Sequence, residues 1–543
     1  MTSVLHILFI VFSLFVSSNS YAAPASDVEF SEALQQLTQR NLSKKQVAIE
    51  SLQLLEHAKM EIVLNALLDS RLYYIKSSKK VVLVKKLDQG FEAFDILDGS
   101  SLGVQGKRKV KKIGINNKIR KSLRVGLALL NLKNPDAQQR LMAVQDMMNS
   151  MDDVSADILR KLVDGESDED VNRAMQTAIA LSDIKSDDKK RKLAAVNALQ
   201  YSVSPETKNA LLNVVKKDED GKYIETDAAI VTAAIQALDK INTRIKFYGF
   251  TETLFFGLSL GSVLLLSAIG LAITFGVMGV INMAHGELMM LGAYTTYVIQ
   301  LMMPNNIETS LFVAIPAAFL VAGLMGILIE RGVLRYLYGR PLETLLATFG
   351  LSLVLQQMVR TIFSPLNRAV ETPEWMSGAW QINEALSLTY NRLYIIIFSL
   401  IVFAILLMIL KKTSLGLQIR AVSQNRSMAK AMGVRSEWVD ALTFGLGSGI
   451  AGVAGVALSQ LTNVGPNLGQ AYIIDSFMVV VFGGVGNLWG TLVGAMSLGV
   501  VNKFLEPWSG AVLAKILVLV AIILFIQKRP RGLFPQKGRA AEN

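Results

Sequence analysis

Hydrophobic and polar positions follow two regimes along this chain, and the regimes meet near residue 250. Through residues 25–250, Lys, Asp, Glu and Gln interrupt the apolar positions, whereas from Leu254 onward Leu, Ile, Val, Ala, Gly and Met dominate. In the first regime apolar residues recur at three- and four-residue spacing over residues 30–40 and 47–68, which predicts amphipathic helices. Residues 72–75, 81–84 and 91–97 are rich in β-branched and aromatic side chains. The Ser77-Ser78-Lys79-Lys80 link between the first two predicts a small β-hairpin patch. Helices resume from about Asn116.

An internal repeat follows. Arg140-Leu141-Met142-Ala143-Val144 returns as Arg191-Lys192-Leu193-Ala194-Ala195-Val196, with Ala143-Val144 falling on Ala195-Val196 at an offset of 52 residues. The same offset carries Leu159 onto Leu211 and Leu162 onto Val214. That pattern predicts HEAT-like stacked helical pairs, each burying its neighbour's face; a plain helical bundle is the alternative.

In the second regime the apolar segments 254–279, 288–303, 311–334, 345–363, 393–410 and 441–461 are candidate membrane spans. Two shorter pieces, 474–485 and 489–501, precede a last span at 512–526. The fold class expected is therefore mostly α, a polytopic membrane domain of eight or nine segments behind a soluble helical domain. The apolar run at residues 4–16 is too short to span comfortably and leads into small residues ending at Ala22-Ala23, so residues 1–23 read as a signal peptide. Its start lacks Lys and Arg, which leaves an uncleaved anchor as the other reading. Either way residues 24–250 are expected to be exported, with residues 251–543 forming the membrane domain.

Charge bias agrees with that orientation. Arg331, Arg335 and Arg340 follow the third span, and Lys411, Lys412, Arg420, Arg426, Lys430 and Arg435 follow the fifth. Lys528, Arg529, Arg531, Lys537 and Arg539 close the chain. The positive-inside rule puts all three groups in the cytoplasm, as expected of a multi-pass membrane protein with an exported N-terminal domain and a cytoplasmic C-terminus. The same bias accounts for the net charge of +11 without nucleic acid. The basic run at residues 107–112 reads as a solvated loop, and residues 166–170 as a solvated turn before a helix.

Candidate chemistry is sparse. The chain has no cysteine and three histidines, which excludes disulfides, thiol catalysis and cysteine-bound metals. His57, with Glu61 four residues on, reads as half of a surface ion pair. No catalytic constellation, metal site or cofactor is expected. The Gly pairs Gly257/Gly261 and Gly445/Gly449, and the series Gly486/Gly490/Gly494, predict faces where helix backbones approach closely in lipid.

Two segments depart from these patterns. In GVMGVINMAHGEL (residues 276–288), Asn282, His285 and Glu287 sit in a hydrophobic region, where they cost several kcal/mol unless paired or hydrated. A Gly-rich polar interruption of a span is also how transporters build sites at membrane depth; a short loop between helices is the alternative. The stretch SLGLQIRAVSQNRSMAKAMGV (residues 414–434) reads as a short amphipathic helix between spans, broken by Gly433 and suited to a groove on another protein.

GVMGVINMAHGELMMLGAY, LGLQIRAVSQNRSMAKAMGV and FGGVGNLWGTLVGA resemble the branched-chain amino-acid permease family of ABC importers, in order, across residues 254–533. The resemblance implies that residues 414–434 are a coupling helix seated on an ATPase subunit, with Arg420, Ala421, Asn425, Ala429 and Gly433 as coupling residues. It also implies two cytoplasmic ATPases, a second related permease and a periplasmic solute-binding protein as partners. This chain carries no GxxxxGK[ST] loop, so ATP hydrolysis falls to those separate subunits and the chain itself is no enzyme. The exported extension, with LDSRLYYIKSSKKVVLVKK, and the C-terminal tail are similar to the urea-importer subgroup. Urea needs amide and hydroxyl partners, which Asn282, Thr344, Thr348, Gln356, Asn463 and Asn467 offer alongside His285, Gly286 and Glu287 of the family motif. A branched-chain amino acid or related amide is the alternative solute, with Glu287 and Arg360 as charged partners. A channel or secondary transporter without an ATPase is the reading from another class, and the coupling-like helix counts against it.

Overall fold

The computed structural model describes residues 26–39, 41–55, 57–87, 90–106, 108–148 and 153–535. The expected signal peptide, and Lys537 and Arg539 of the tail, lie outside the described residues. The chain divides into two compact units, Met1–Thr243 and Arg244–Asn543.

In the first unit, helices α1 (Asp27–Gln36), α2 (Leu42–Leu54) and α3 (Met60–Leu68) enclose Phe30, Leu37, Leu52 and Leu64, all fully buried. Ser26 starts α1 with a capping box: Glu29 N donates to Ser26 Oγ, and Ser26 N donates back to the Glu29 carboxylate. His57 does not pair with Glu61. The turn between α2 and α3 lays its ring on Phe30, with centroids 3.9 Å apart, and brings Nε2 to 2.9 Å from Asp27 Oδ1. A partner 30 residues away in sequence was invisible to helical spacing.

The β patch is larger than a hairpin. Strands β1 (Leu72–Ile75), β2 (Val81–Leu87), β3 (Gly90–Asp95), β4 (Ser101–Gln105) and β5 (Val110–Lys112) form one antiparallel sheet in the order β4-β3-β2-β1-β5. The expected hairpin is there, with Leu72 opposite Leu83 and Tyr74 opposite Val81. The basic run is not a free loop, because Val110, Lys111 and Lys112 pair with Ile75, Tyr74 and Tyr73. Val110 is buried and the two lysines are exposed, so the edge strand carries charges that oppose pairing with another chain.

Beyond the sheet the helices recur. α4 (Asn117–Asn131), α5 (Ala137–Met148) and α6 (Asp153–Leu162) are followed by α7 (Glu169–Asp183), α8 (Lys189–Leu199) and α9 (Pro205–Val214), each starting 52 residues after its counterpart. Ile119 and Val171, Val144 and Val196, and Leu159 and Leu211 are buried pairs at that offset. Asn116 and Asp168 cap α4 and α7 alike, accepting from Ile119 N and Val171 N.

An ion pair recurs with the helices. Arg140 grips Glu166 with Nε and Nη2 at 2.8 and 2.7 Å, and Lys192, its counterpart, meets Glu225 at 2.6 Å. Each glutamate also accepts a backbone N–H, from Asp168 and Asp227 respectively, and so braces the start of the next helix. The acidic turn at residues 166–170 is thus part of a clasp between successive copies. These hydrogen bonds, first of all those from Arg140 and Lys192, hold both glutamates below the ordinary carboxylate range. A depressed pKa contributes stability above the ordinary range, and that stability is lost as pH falls through the folded-state value. Hydrogen exchange over α5–α7 in the full chain should therefore quicken on acidification in the parent relative to Glu166→Gln at each pH; an unchanged ratio would dismiss the clasp as a stabilising element.

The division between the units falls within the long helix α10 (Ala228–Met278). The second unit continues with α11 (His285–Met302), α12 (Ile307–Gly332) and α13 (Pro341–Phe363), then the hairpin β6 (Ala379–Asn383) and β7 (Leu386–Thr389). It ends with α14 (Tyr390–Lys412), α15 (Ser414–Gln424), α16 (Arg426–Ala431), α17 (Ser436–Ser459), α18 (Leu468–Gly483) and α19 (Leu488–Lys528). Six helices among the described residues are long and apolar enough to cross a membrane: α10, α12, α13, α14, α17 and α19. Eight or nine segments were expected, and the difference has three sources. α11 carries His285, Glu287, Thr295, Thr296 and Gln300; α18 has 16 residues; and the segments expected at 489–501 and 512–526 fall on two helices that meet at a non-helical Gly510 (φ 77°) and are counted together as α19.

Helix α17 is buried along most of its length and is the packing centre of this unit. It has little side chain to bury because glycines let its neighbours reach the backbone. A Cβ at Gly447 would lie 2.7 Å from Gly270 O of α10, one at Gly452 2.4 Å from Ala318 O of α12, and one at Gly455 2.0 Å from Met289 O of α11. The expected glycine faces also pack closely, Gly257 against Val500, Gly261 against Met496 and Gly490 against Gly483. Gly486 takes φ 76° in the turn before α19, and a Cβ at Gly276 would stand 2.4 Å from its Cα. Gly455→Ala should sharply lower the yield of monodisperse protein in detergent, while Gly332→Ala, where a Cβ meets nothing within 4 Å, should leave it unchanged. Equal yields would refute the close-approach account.

Candidate functional site

Helix α10 stops at Met278 because Gly279 turns the chain with φ 67°, and α11 does not begin until His285. The six residues between them need partners for their backbone polar groups, and α13 supplies some. Met283 N donates to Thr348 Oγ1 at 3.1 Å, and the Thr348 hydroxyl lies 3.3 Å from Ile281 O. Asn282 Oδ1 accepts from Ala284 N at 3.0 Å, which closes the turn into α11.

Along α13, Thr344, Thr348, Ser352, Gln356 and Arg360 recur every four residues and so share one face. The first four are buried. The face meets the first turn of α11: Glu287 Oε1 accepts from Ser352 Oγ at 2.8 Å and from Gln356 Nε2 at 2.7 Å. His285 Nε2 lies 2.7 Å from Ser267 O in α10, and the Ser267 hydroxyl accepts from Ser476 of α18. Gly286 admits α18, since a Cβ there would stand 2.4 Å from Gly469 O. At the far end of the strip Arg360 Nη2 donates to Asn467 Oδ1 at 2.7 Å.

Eight of the residues singled out from sequence (Asn282, His285, Glu287, Thr344, Thr348, Gln356, Arg360 and Asn467) thus fall along one polar strip, with Gly286 in its wall. Asn463 is exposed, and no recorded contact joins it to the strip. Ser352, Ser267 and Ser476 are additions. Ser352 was available to the four-residue spacing, whereas Ser267 and Ser476 meet across 209 residues and gave no local signal. Three buried polar atoms on the strip have no protein partner: Asn282 Nδ2, His285 Nδ1 and Glu287 Oε2. A strip of donors around a carboxylate with one uncommitted oxygen can bind a small solute that brings its own N–H groups. No group of His, Cys, Asp and Glu among the described residues could hold a metal ion.

The segment expected to couple to a partner is two helices, α15 and α16. Asn425 separates them: it ends α15 and caps α16 through Met428 N to Asn425 Oδ1, 2.9 Å. Gly433, with φ 85°, ends α16, and Val434 N reaches back to Ala429 O. Ile419, Val422 and Ala429 turn inward onto Val439, with Ala421 packed beside them. Arg420 donates to Leu410 O at the end of α14 and lines a cavity of about 330 Å³ with Lys411, Asn487 and Trp489, away from the polar strip. Leu417, Met428 and Met432 face outward and are exposed, Met432 at 78%. The inward residues shape this helical pair, and the outward ones are free to meet a partner.

Comparison with known proteins bears on the second unit. The family described as "Branched-chain amino acid transport system / permease component" matches residues 253–526. The chain belongs to that permease family. It is 30% identical over 298 residues to the high-affinity branched-chain amino acid transport system permease protein LivH of Salmonella typhimurium, covering 53% of this chain and 96% of that relative. The corresponding permease protein BraD of Pseudomonas aeruginosa is 28% identical over the same shares. The ribose import permease protein RbsC of Haemophilus influenzae is 24% identical over 259 residues, 40% of this chain and 69% of that one. No solved structure matches. The family match begins at residue 253, so the permease family accounts for the second unit and leaves the first outside the match.

Proposed function

We propose that this chain is the membrane-embedded permease of an ATP-driven importer for a small solute bearing N–H donors. The observation that carries the reading is Glu287, a buried carboxylate oriented by Ser352 and Gln356 midway along a polar strip. A carboxylate kept among apolar helices is costly unless it serves a pathway or a pair, and this one has an oxygen to spare.

Two solutes fit that chemistry. Urea is neutral and planar; its N–H groups suit Glu287 and Asn467, and its carbonyl suits Gln356 and the threonines. A branched-chain amino acid would place its ammonium at Glu287 and its carboxylate toward Arg360. Kinship with the LivH and BraD permeases favours the amino acid, while the long first unit, similar to the urea-importer extension, favours urea. The two stand level. In either case the exported first unit, its recurring helices read as a HEAT-like solenoid, stands outside the inner membrane, and the C-terminus lies in the cytoplasm. The partners are two cytoplasmic ATPases meeting α15 and α16, a second related permease and a periplasmic solute-binding protein. ATP-driven movement of α15 and α16 would expose the strip to each side in turn.

Uptake of labelled urea and labelled leucine by proteoliposomes carrying the assembled complex separates the solutes. ATP-dependent uptake of one and not the other assigns the substrate; uptake of neither would reject the proposal. Glu287→Gln should lower that uptake by roughly tenfold or more, the scale of one hydrogen bond to a charged group.

A further inference from the structure

On one side of the second unit, four elements meet in a cluster that the polar strip does not use. Arg426, the first residue of α16, forms an ion pair with Asp440 of α17. The arginine side chain is 39% exposed, and the carboxylate only 1%. The same guanidinium stands 4.8 Å over the ring of Tyr338, in the connection between α12 and α13. The Tyr338 hydroxyl donates to Glu330 Oε1 of α12 at 2.8 Å, and Glu330 is also buried. Alongside, Arg331 lies 4.3 Å over the ring of Trp438 in the first turn of α17, with its Nε 3.8 Å from Glu330 Oε2.

We infer that Arg426 and Asp440 are a positioning pair that makes α16 and the start of α17 move as one body, so that displacement of the short helices reaches the polar strip. The inference rests on the importer reading. Its physical basis is the asymmetry of the pair. If α16 moved away alone, Asp440 would be left buried and uncompensated, which costs far more than the pair contributes when intact. Helix α16 therefore draws α17 with it. The turn between them is short, closed by Gly433 and by Val434 N to Ala429 O, and leaves little slack. From α17 the displacement passes through backbone contacts at Gly455 and Gly452 to α11, which carries Glu287, and to α12, which carries Glu330. The contact through Tyr338 gives α16 a second hold, on the connection leading into α13 and its polar face. Arg420 and Lys430, by contrast, have no buried carboxylate among their recorded partners, so charge alone does not single out Arg426.

The test compares Arg426→Gln, Asp440→Asn and the double substitution in the assembled complex in proteoliposomes, measuring solute uptake, ATP hydrolysis and thermal stability. Arg426→Gln alone should lower stability, because it strands a buried charge. The double substitution removes both charges and should recover most of that stability. Its uptake per ATP hydrolysed should nevertheless stay roughly tenfold below the parent, while hydrolysis persists. A purely structural pair would move uptake and stability together, so parent-like uptake per ATP in the double variant would overturn the inference. The exchanged pair, Arg426→Asp with Asp440→Arg, should regain part of the lost coupling. Solute uptake by the parent complex in the absence of ATP would instead overturn the importer reading, and the inference with it.

Discussion

A carboxylate removed from water must find donors, and in the second unit that requirement organises much of what surrounds it. Glu287 takes hydrogen bonds from Ser352 and Gln356, so α13 must lie against the first turn of α11. That turn can start there only because α10 ends early at Gly279 and the intervening residues borrow Thr348 as a partner. α11 in turn reaches its depth because Gly455 lets α17 approach Met289 O without a side chain between them. Polar satisfaction and close apolar packing are therefore one constraint here: losing the glycine contact would withdraw α11 from the donors on α13.

The two units solve the burial problem differently. The first repeats a module whose two copies are joined by Arg140–Glu166, with Lys192–Glu225 holding the second copy to the segment before α10 and side chains such as Val144 and Val196 filling the space between helices. The second uses glycine, serine and threonine so that backbones meet, because in lipid apolar area alone gives helices little reason to associate. The family match follows this division, covering residues 253–526 and leaving the repeating unit outside it.

Much of the candidate site was legible from sequence because polar residues in an apolar helix are conspicuous. Thr344, Thr348 and Gln356 were picked out as amide and hydroxyl groups in apolar segments, their common face emerging only in the fold, and Asn282, His285 and Glu287 by their place in an interrupted span. Contacts distant in sequence were not legible. His57 pairs with Asp27 across a turn, Ser476 meets Ser267 from another helix, and Arg426 finds Asp440 only once α16 has folded back on α17. The eight or nine segments expected compare with six helices among the described residues that are long and apolar enough to cross a membrane. Sequence windows see the apolar pieces on either side of Gly510 as two segments, and the backbone does break between two helices there, although the stretch counts as one long apolar element. The edge strand at Val110–Lys112 was hidden by its lysines, which have low β propensity yet suit an exposed edge.

The central claim is that the strip between α11 and α13 becomes open to water and solute during transport. The chain has no cysteine, so Ser352→Cys places a single thiol beside Glu287 without other changes. Labelling of that thiol by a small, membrane-impermeant reagent, applied from each side of proteoliposomes carrying the assembled complex, tests the claim directly. The account predicts labelling from one side without ATP and from the other when ATP is trapped on the complex, slowed in both cases by the transported solute. A thiol that stays unlabelled from both sides in every nucleotide state would contradict it and make the strip a sealed structural network.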